Sequence, residues 1–342
     1  MPLGTLTLDT KITTLFPPNS KIISASPSGK SEWTSTSRLC LASKETDREM
    51  MEGEFNALLE LHKTLPDSVP RSYGWGKLSV SGPGADTYFL LLEFIEMCDP
   101  LTLRDPEPEQ LCRKLARLHR ESTSPTGMFG FHVTTCQGNV PLYVPWEKSW
   151  TVFYSNLLSC VLARDTLLNG PWANLNTLAA RAVESVIPRL LAPLESNGRL
   201  IKPSLIQGDM WEGNTGTSPV TGNIYLFDAA VFYAHSELEL GNWRCTFNRI
   251  HDEVYTRTYL NYNPPDEPVR EWDDRNRLYS VFYDVLLSVN HGAGGKPARQ
   301  TAYDDLYYLV DKYAPFKDGT GPPRIKESER ATCLDERDHN KG

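Results

Sequence analysis

Apolar positions in the first hundred residues are typical of strands, with one clear helix among them. Between residues 47 and 65 they recur at three- and four-residue steps, and Pro66 follows, which predicts a helix that ends there. The apolar run at residues 88–95 is short and predicts a buried strand. Residues 19–37 are small, polar and then partly β-branched, which suits a strand, a turn and a second strand, although a Ser-rich loop fits that composition equally well.

The spacing becomes helical after about residue 106. Pro106 and Pro108 begin a helix whose leucines line one face up to His119, a residue that we expect to pack rather than to catalyse. Further helices are predicted at residues 146–162, 174–194, 243–259, 273–289 and 304–313. From residue 315 onward, Pro, Gly and mixed charges replace the apolar periodicity, which predicts a disordered tail.

This order of elements predicts an α+β protein of two lobes. A chain of 342 residues, 40% of them hydrophobic, more naturally forms two lobes than one. The predicted boundaries are a β-rich N-lobe at 1–95, a helical C-lobe at 96–314 and the tail at 315–342. The C-lobe is predicted to contain one small β-segment at 201–227.

Composition excludes several classes of protein. A net charge of −8, without a Lys/Arg cluster, argues against a nucleic-acid partner. No apolar stretch is long enough to cross a bilayer, and the first eleven residues lack the apolar region of a signal peptide. The seven Cys are scattered, without any Cys-x-x-Cys, and are typical of reduced thiols. We therefore expect a cytoplasmic protein, monomeric and without a membrane partner.

Three polar residues of the β-segment suggest phosphoryl transfer. Asp209 and Asn214 are five residues apart, and Asp228 ends the apolar run at 224–227. One carboxylate can accept the proton of an attacking hydroxyl, while an amide oxygen and a second carboxylate hold Mg²⁺ against phosphates. The spacing alone is weak evidence, because Asp and Asn are common turn formers and the same spacing recurs at 335–340.

The residues around this triad resemble the fructosamine-3-kinase (ketosamine or protein-ribulosamine kinase) family, and its fungal members closely. The run QGDMWEGN at 207–214 is similar to the family signature His-Gly-Asp-Leu-Trp-x-Gly-Asn. The segment FDAAVFYAHSELEL at 227–240 is similar to the segment of the family's metal-binding Asp. Two further stretches agree, MMEGEF at 50–55 and FGFHVTT at 129–135. Together they cover the chain from about residue 33 to about residue 283.

The resemblance implies a protein-kinase-like fold of the aminoglycoside phosphotransferase type, with ATP and Mg²⁺ as cofactors. The substrate would be a ketosamine, a ribulosamine or fructosamine that is free or attached to a protein lysine, and its phosphorylation leads to deglycation. Asp209 would be the base, and Asn214 and Asp228 would ligate the metal. Trp211 would stack on the sugar or amine, although a core Trp beneath the loop is an equally good interpretation.

The resemblance also implies a nucleotide site in the N-lobe. Glu54 takes the position of the glutamate that pairs with the ATP-binding lysine, and a solvated helix charge is the alternative. The hinge near Glu93, Phe94 and Ile95 would bind adenine through backbone C=O and N–H groups. For His235, Glu237 and Glu239, which follow the metal Asp, we expect structural hydrogen bonds.

Two positions depart from the family pattern. Gln207 replaces the His before Gly-Asp, and we expect it to weaken the loop geometry without abolishing it, since Gln also donates and accepts hydrogen bonds. The position of the ATP-binding lysine, fourteen residues before Glu54, is Cys40, and the chain before it is shorter than in the family. A thiol supplies no fixed positive charge to the phosphates. Lys44 and Lys30 are possible substitutes.

These departures leave alternatives to a ketosamine kinase. The chain could be a kinase of another small hydroxylated or amino compound, because the fold does not fix the substrate. It could also be a pseudokinase that binds nucleotide or a partner, because the lysine position is Cys40.

Overall fold

The computed structural model describes residues 9–16, 35–36, 39–42, 47–79, 86–98, 105–317 and 320–325. The strands are β1 (Ser35–Thr36), β2 (Leu39–Ala42), β3 (Ser72–Lys77), β4 (Tyr88–Leu92), β5 (Cys136–Gln137), β6 (Val140–Pro141), β7 (Ser204–Ile206), β8 (Thr215–Thr217), β9 (Ile224–Leu226) and β10 (Phe232–Ala234). The α-helices are α1 (Thr10–Thr13), α2 (Asp47–Thr64), α3 (Pro108–Glu121), α4 (Trp150–Asn169), α5 (Ala173–Arg181), α6 (Ile187–Leu191), α7 (Glu237–Arg244), α8 (Glu253–Tyr262), α9 (Trp272–His291) and α10 (Lys296–Tyr313).

The N-terminal part is an antiparallel sheet packed against α2. The strand order is β1-β2-β4-β3, and Cys40 on β2 lies opposite Leu90 on β4. Leu90 and Met51 of α2 are fully buried against each other, which joins the helix to the sheet. The helix predicted at 47–65 is confirmed. Of the strands predicted at 19–37, only β1 lies within the described residues.

The segment after β4 leaves the sheet earlier than the sequence predicts. The apolar run continues to Ile95, but β4 ends at Leu92. The Glu93 N–H donates to the Arg71 carbonyl at 2.7 Å, and the Glu93 carboxylate accepts the Arg71 N–H at 3.1 Å. The Cys98 N–H then donates to the Thr217 carbonyl at 2.9 Å, which joins this linker to β8. Residues 93–98 therefore form the connection between the sheet and the helical part.

Helices dominate from residue 108 onward, as predicted. The helix expected at 174–194 is divided into α5 and α6 by a π-helical turn at Ala182–Val186, with Pro188 in the first turn of α6. Helix α4 begins at Trp150, where Ser149 caps it, four residues after the predicted start. Helix α10 begins eight residues earlier than predicted, because its first turns carry few apolar residues.

The helical part also contains short strands, of which β7, β8 and β9 lie within the β-segment predicted at 201–227, while β10 and the β5–β6 hairpin lie outside it. Strand β7 pairs antiparallel with β10, and β8 pairs antiparallel with β9. The two pairs hold the segments 207–214 and 227–231 side by side, since each pair contributes one strand that precedes a loop and one that follows it. The core of this part consists mainly of aromatic and branched side chains from the helices around it.

Part of the predicted tail has contacts with the helices. Phe316 and Ile325 pack against the core, and the Tyr303 hydroxyl donates to the Pro323 carbonyl at 2.5 Å. Residues 318–319 and 326–342 lie outside the described residues. None of the helices within the described ranges is long and apolar enough to cross a membrane.

Candidate active site

The loop that carries Asp209 is held from below by a buried carboxylate. Glu239 on α7 accepts the Gln207 N–H at 2.6 Å and the Gly208 N–H at 3.0 Å. Gly208 has φ +82°, and a Cβ there would lie 2.1 Å from the Ala230 carbonyl oxygen, so only glycine fits. Glu239 is itself within 3.4 Å of His119. Glu239 thus makes the structural hydrogen bonds that we expected of it. His119 is buried against it, in agreement with the expected packing role.

Gln207 joins the Asp209 loop to the Asp228 loop. Its Oε1 accepts the Asp209 N–H at 2.8 Å, while its Nε2 donates to the Phe227 carbonyl at 2.9 Å and to the Asp228 carbonyl at 3.5 Å. The side chain is fully buried. The carboxamide therefore accepts from one loop and donates to the other. We expected Gln207 to weaken the loop, but its side chain leaves none of these hydrogen bonds unmade.

Asn214 lies between the two predicted functional carboxylates. Its Nδ2 donates to the Asp209 carbonyl and to Asp209 Oδ2, both at 2.9 Å, and to the Asp228 carbonyl at 3.3 Å. Because all three contacts use the amide nitrogen, the Oδ1 atom is turned away from them. No hydrogen bond between described residues uses this oxygen. The structure thus brings together the three residues that the sequence spacing singles out.

Asp228 has an unusual backbone and an exposed side chain. Its φ is +48°, a left-handed conformation that Asp and Asn tolerate better than most residues. The Gln207 and Asn214 side chains both donate to its carbonyl, at 3.5 and 3.3 Å. The carboxylate accepts no hydrogen bond from a described residue, so it remains available. Together with Asn214 Oδ1 it offers the oxygen donors that Mg²⁺ prefers, and these residues fit that ion.

Three carboxyl groups near this site have raised pKa values. Burial raises the pKa of Asp209 to about 7, against the hydrogen bonds from Gln137 and Asn214, which lower it. Burial, together with the Asp228 charge, raises the pKa of Glu54 to about 8. The pKa of Asp228 is also raised, because protein atoms surround its carboxylate although the residue is open to solvent. The site therefore disfavours the ionised form of these carboxyls, and a bound cation would favour it.

Glu54 faces Asp228 rather than a basic partner. It is half-buried on α2, and no ion pair joins it to a Lys or Arg within the part of the chain that the structure describes. Cys40 takes its place on β2 opposite Leu90, in the strand between β1 and β4. Lys30 and Lys44 lie outside the described residues, so their suggested roles stay predictions.

Trp211 is not a core residue. Its side chain is 39% exposed, and a Cβ at Gly213 would lie 2.2 Å from its ring, so the ring covers Gly213. The next residues form a short 3₁₀ turn, Glu212–Asn214, which ends at the amide between the two carboxylates. The interpretation of Trp211 as a Trp buried beneath the loop is wrong. An exposed aromatic ring remains, two residues after Asp209 in the chain.

The three predicted adenine-binding residues lie in the linker after β4. Glu93 and Phe94 are exposed, and Ile95 is half-buried. The Glu93 N–H is already used by Arg71, so it is not available to a ligand. Among described residues, no hydrogen bond uses the Glu93 carbonyl or the Ile95 N–H. These two groups correspond to the acceptor and the donor that the sequence analysis expects.

Several residues that shape the site are missed by sequence reasoning. Gln137 Nε2 donates to Asp209 Oδ1, through a short contact. Asn242 and Trp243 both donate to the Met210 carbonyl, at 3.2 and 3.1 Å. No motif includes Gln137. Asn242 and Trp243 follow just after the segment at 227–240, which resembles the family's metal-Asp segment.

A second polar cluster near the loop is structural. His235, Glu237 and Asp266 come close enough to share a cation. However, Arg275, fully buried, donates to both oxygens of Glu237 at 2.8 and 2.9 Å. His235 donates from Nε2 to Asp266 Oδ2 at 2.8 Å, and its Nδ1 shares a hydrogen bond with the Tyr279 hydroxyl at 2.9 Å. The guanidinium thus pairs with one of the two carboxylates, and His235 contacts the other.

Comparison with known proteins identifies the family. The sequence model of the fructosamine kinase family matches residues 36–306. Mouse ketosamine-3-kinase is 30% identical over 282 residues, which cover 74% of this chain and 82% of that protein. The chloroplastic protein-ribulosamine 3-kinase of Oryza sativa subsp. japonica is 28% identical over 264 residues, covering 76% of this chain and 70% of the relative.

Solved structures share the fold. A candidate fructosamine-3-kinase from Thermobifida fusca superposes with a TM-score of 0.63 at 19% identity, covering 84% of this chain and 93% of that one. A thermostable variant of the aminoglycoside phosphotransferase APH(4)-Ia, in a ternary complex with AMP-PNP and hygromycin B, superposes with a TM-score of 0.55 at 12% identity, covering 84% and 93%. The predicted kinase-like α+β fold is confirmed.

Proposed function

The chain belongs to the fructosamine kinase family, and from this we propose that it phosphorylates a sugar hydroxyl of a ketosamine with ATP, using Asp209 as the base. The observation that supports this most directly is the position of Asn214, whose amide contacts both Asp209 and the Asp228 carbonyl. One amide thereby links the carboxylate that would receive a proton to the backbone of a residue that would hold the metal.

Asp209 would act on the acceptor. Its carboxylate orients the hydroxyl and receives its proton as the oxygen–phosphorus bond forms and the bond to the departing ADP breaks. Its raised pKa suits a base that works near neutral pH. Hydrogen bonds from Gln137 and Asn214 favour the ionised form that this role requires.

Asn214 and Asp228 would hold Mg²⁺ through Oδ1 and a carboxylate oxygen. A bound Mg²⁺ neutralises phosphate charge and thereby stabilises the transition state. Asp228 lies two residues after β9 and is exposed, so a nucleotide can reach its side chain. Adenine would bind the Glu93 carbonyl and the Ile95 N–H, with Phe94 beside it.

The proposed acceptor is a ribulosamine or fructosamine, free or attached to a protein lysine. Mouse and rice relatives are named for ketosamine and protein-ribulosamine. The exposed Trp211 ring, two residues after Asp209 in the chain, would stack on the sugar or amine. Phosphorylation would make the adduct labile, so the biological result would be deglycation. The cytoplasmic location, the monomeric state and the similarity to fungal members stay predictions.

A substrate panel tests this function. ATP consumption would be measured with ribulosamine, fructosamine and a glycated peptide, against amino sugars and choline-like alcohols, with Asp209→Ala as the blank. We expect turnover on the ketosamines only, and a phosphate ester detected by mass spectrometry. Turnover of an amino sugar or an alcohol without turnover of ketosamines would replace the substrate class and leave the kinase chemistry in place.

A second candidate, a nucleotide-binding pseudokinase, is favoured by the surroundings of Glu54. This carboxylate faces Asp228 without a basic partner in the described ranges, and the strand position expected to carry lysine is Cys40. A protein of this kind would bind Mg²⁺-ATP in calorimetry and show no transfer to any member of the panel. The two candidates are thus distinguished by the same set of measurements.

A further inference from the structure

Gln137 contacts the proposed base from an unexpected direction. It ends β5, in a hairpin where it lies opposite Val140, and Gly138 forms the turn with φ +56°. The Gln137 Nε2 donates to Asp209 Oδ1, while Asn214 Nδ2 donates to Oδ2 of the same carboxylate at 2.9 Å. Two amides on separate elements therefore hold the two oxygens of Asp209.

The hairpin that carries Gln137 is anchored on both sides. Asn290 on α9 donates from Nδ2 to the Gln137 carbonyl at 3.2 Å. Thr135, just before β5, donates from its hydroxyl to the Val231 carbonyl at 3.1 Å, in the segment that follows Asp228. The backbone at Gln137 is thus fixed relative to the loops that carry Asp209 and Asp228.

The Gln137 carboxamide is only half satisfied. Its Oε1 is buried and accepts no hydrogen bond from a described residue, and the same is true of the Asn290 Oδ1. A buried acceptor without a donor is unfavourable, and a side chain selected only for stability would rarely leave one. The arrangement makes sense if the donor on Asp209 is what matters, since functional sites are where such local costs are found.

We propose that Gln137 is a positioning residue for the acceptor step, anchored by Asn290. It fixes the Asp209 carboxylate in one rotamer, so that the remaining lone pairs point to where the acceptor hydroxyl must lie. This inference rests on the proposed function. It adds a residue from a hairpin 72 positions away from Asp209 in the chain, outside the motif that carries the triad.

Four variants test the role: Gln137→Leu, Asn290→Ala, the double variant, and Asn139→Ala as a control at the exposed tip of the same hairpin. In Gln137→Leu we expect kcat for the acceptor to fall about 10- to 100-fold, because a misplaced base loses alignment. The dissociation constant of Mg²⁺-ATP should stay within about twofold. The share of ATP hydrolysed by water, relative to acceptor phosphorylated, should rise. Asn139→Ala should match the wild type.

Asn290 should act through Gln137. Asn290→Ala is expected to lower kcat less than Gln137→Leu does, and the double variant should be no slower than Gln137→Leu, since the two changes disrupt one interaction chain. Additive losses would overturn the anchoring role of Asn290. A kcat for Gln137→Leu within threefold of the wild type, or an equal loss of nucleotide affinity, would overturn the positioning role.

Crystal structures of the wild type and Gln137→Leu provide a readout that needs no turnover. The wild type should show one Asp209 rotamer with Oδ1 on Gln137, and the variant a rotated or multiple carboxylate, with unchanged loops around it. An unchanged rotamer in the variant overturns the inference. If the wild type phosphorylates another acceptor than ketosamines, the kinetic comparison uses that acceptor, so failure of the proposed substrate and failure of the positioning role remain distinct.

Discussion

The Gln207 side chain accepts the Asp209 N–H at 2.8 Å and donates to the Phe227 carbonyl at 2.9 Å. One buried side chain therefore joins the loop of the proposed base to the loop of the proposed metal ligand. Leucine at position 207 would occupy a similar volume and leave both backbone groups without a partner. Each unpaired buried group costs about 1–3 kcal/mol. For Gln207→Leu we expect a lower free energy of unfolding and a lower kcat, measured by denaturant titration and steady-state kinetics.

The matched comparison for this variant is Gln207→His, the residue found in the family signature. Imidazole can donate or accept at each ring nitrogen, so it can keep part of the bridge. We expect stability and kcat closer to the wild type than those of Gln207→Leu. If leucine were tolerated as well as histidine, the Gln207 hydrogen bonds between the two loops would contribute neither to stability nor to kcat.

Asp209→Ala should lower kcat by orders of magnitude and leave the affinity for nucleotide nearly unchanged. The carboxylate is held by Gln137 and Asn214, and in the proposed mechanism it orients the acceptor rather than ATP. Steady-state kinetics and nucleotide titration measure the two effects separately. Asp311→Ala, an exposed carboxylate on α10, is the control. Retention of more than about a tenth of the activity would remove Asp209 from the base role.

Asp228→Asn should weaken Mg²⁺-ATP binding, because a charged metal ligand becomes neutral. Asparagine also tolerates the left-handed φ of +48° at this position, so the change isolates the charge from the backbone. Calorimetry with and without Mg²⁺ provides the measurement. A metal dependence equal to that of the wild type would mean that Asp228 only ends a strand.

Cys40→Lys should raise nucleotide affinity or turnover. Cys40 lies on β2 at the position expected for the ATP-binding lysine, and Glu54 on α2 has no basic partner among the described residues. We expect slow phosphotransfer in the natural sequence, since the phosphates lack a fixed positive charge. Nucleotide titration and turnover would be compared among the wild type, Cys40→Lys and Cys40→Ala. Lys44→Ala and Lys30→Ala test whether either lysine substitutes. Full wild-type activity, insensitive to all three alanine changes, would contradict this prediction.

The stability of the folded protein should fall as pH rises toward the raised pKa values of Asp209 and Glu54. Burial raises the pKa of Asp209 to about 7 and the pKa of Glu54 to about 8 in the folded protein. In the unfolded chain both groups have a pKa of about 4. Between that pH and their pKa values in the folded protein, the folded state binds more protons than the unfolded state. The free energy of unfolding of the metal-free protein should therefore decrease between about pH 5 and 8.

Thermal unfolding in a chelating buffer across this pH range measures the effect, with Glu54→Gln and Asp209→Asn as comparisons. Each substitution removes one titrating group, so each variant should show a shallower decline than the wild type. A wild-type midpoint that is constant or rises from pH 5 to 8 would show that these groups titrate normally. Mg²⁺ with ATP should stabilise the wild type more at pH 8 than at pH 5, because the cation binds the ionised carboxylates.

The local features of this protein follow from its sequence. The helix at 47–65, the helical second part and the short strands around residues 201–227 were predictable, because apolar period and turn chemistry act over a few residues. Asp209 and Asn214 lie in one loop, so their joint role could be predicted from the local sequence. Helix boundaries were less predictable: α10 begins earlier than its apolar residues suggest, and a π turn interrupts the helix expected at 174–194.

What the tertiary structure decided is which distant groups share the site. Gln137 reaches Asp209 across 72 residues, Glu239 reaches Gln207 across 32, and Glu54 meets the charge of Asp228 from the other part of the molecule. None of these contacts has a sequence signature, because a hydrogen bond or a charge interaction depends on distance in space and on the burial around it. The sequence by itself determined the residues that could do the chemistry. Their partners, their pKa values and the exposure of Trp211 were set only when the chain folded around them.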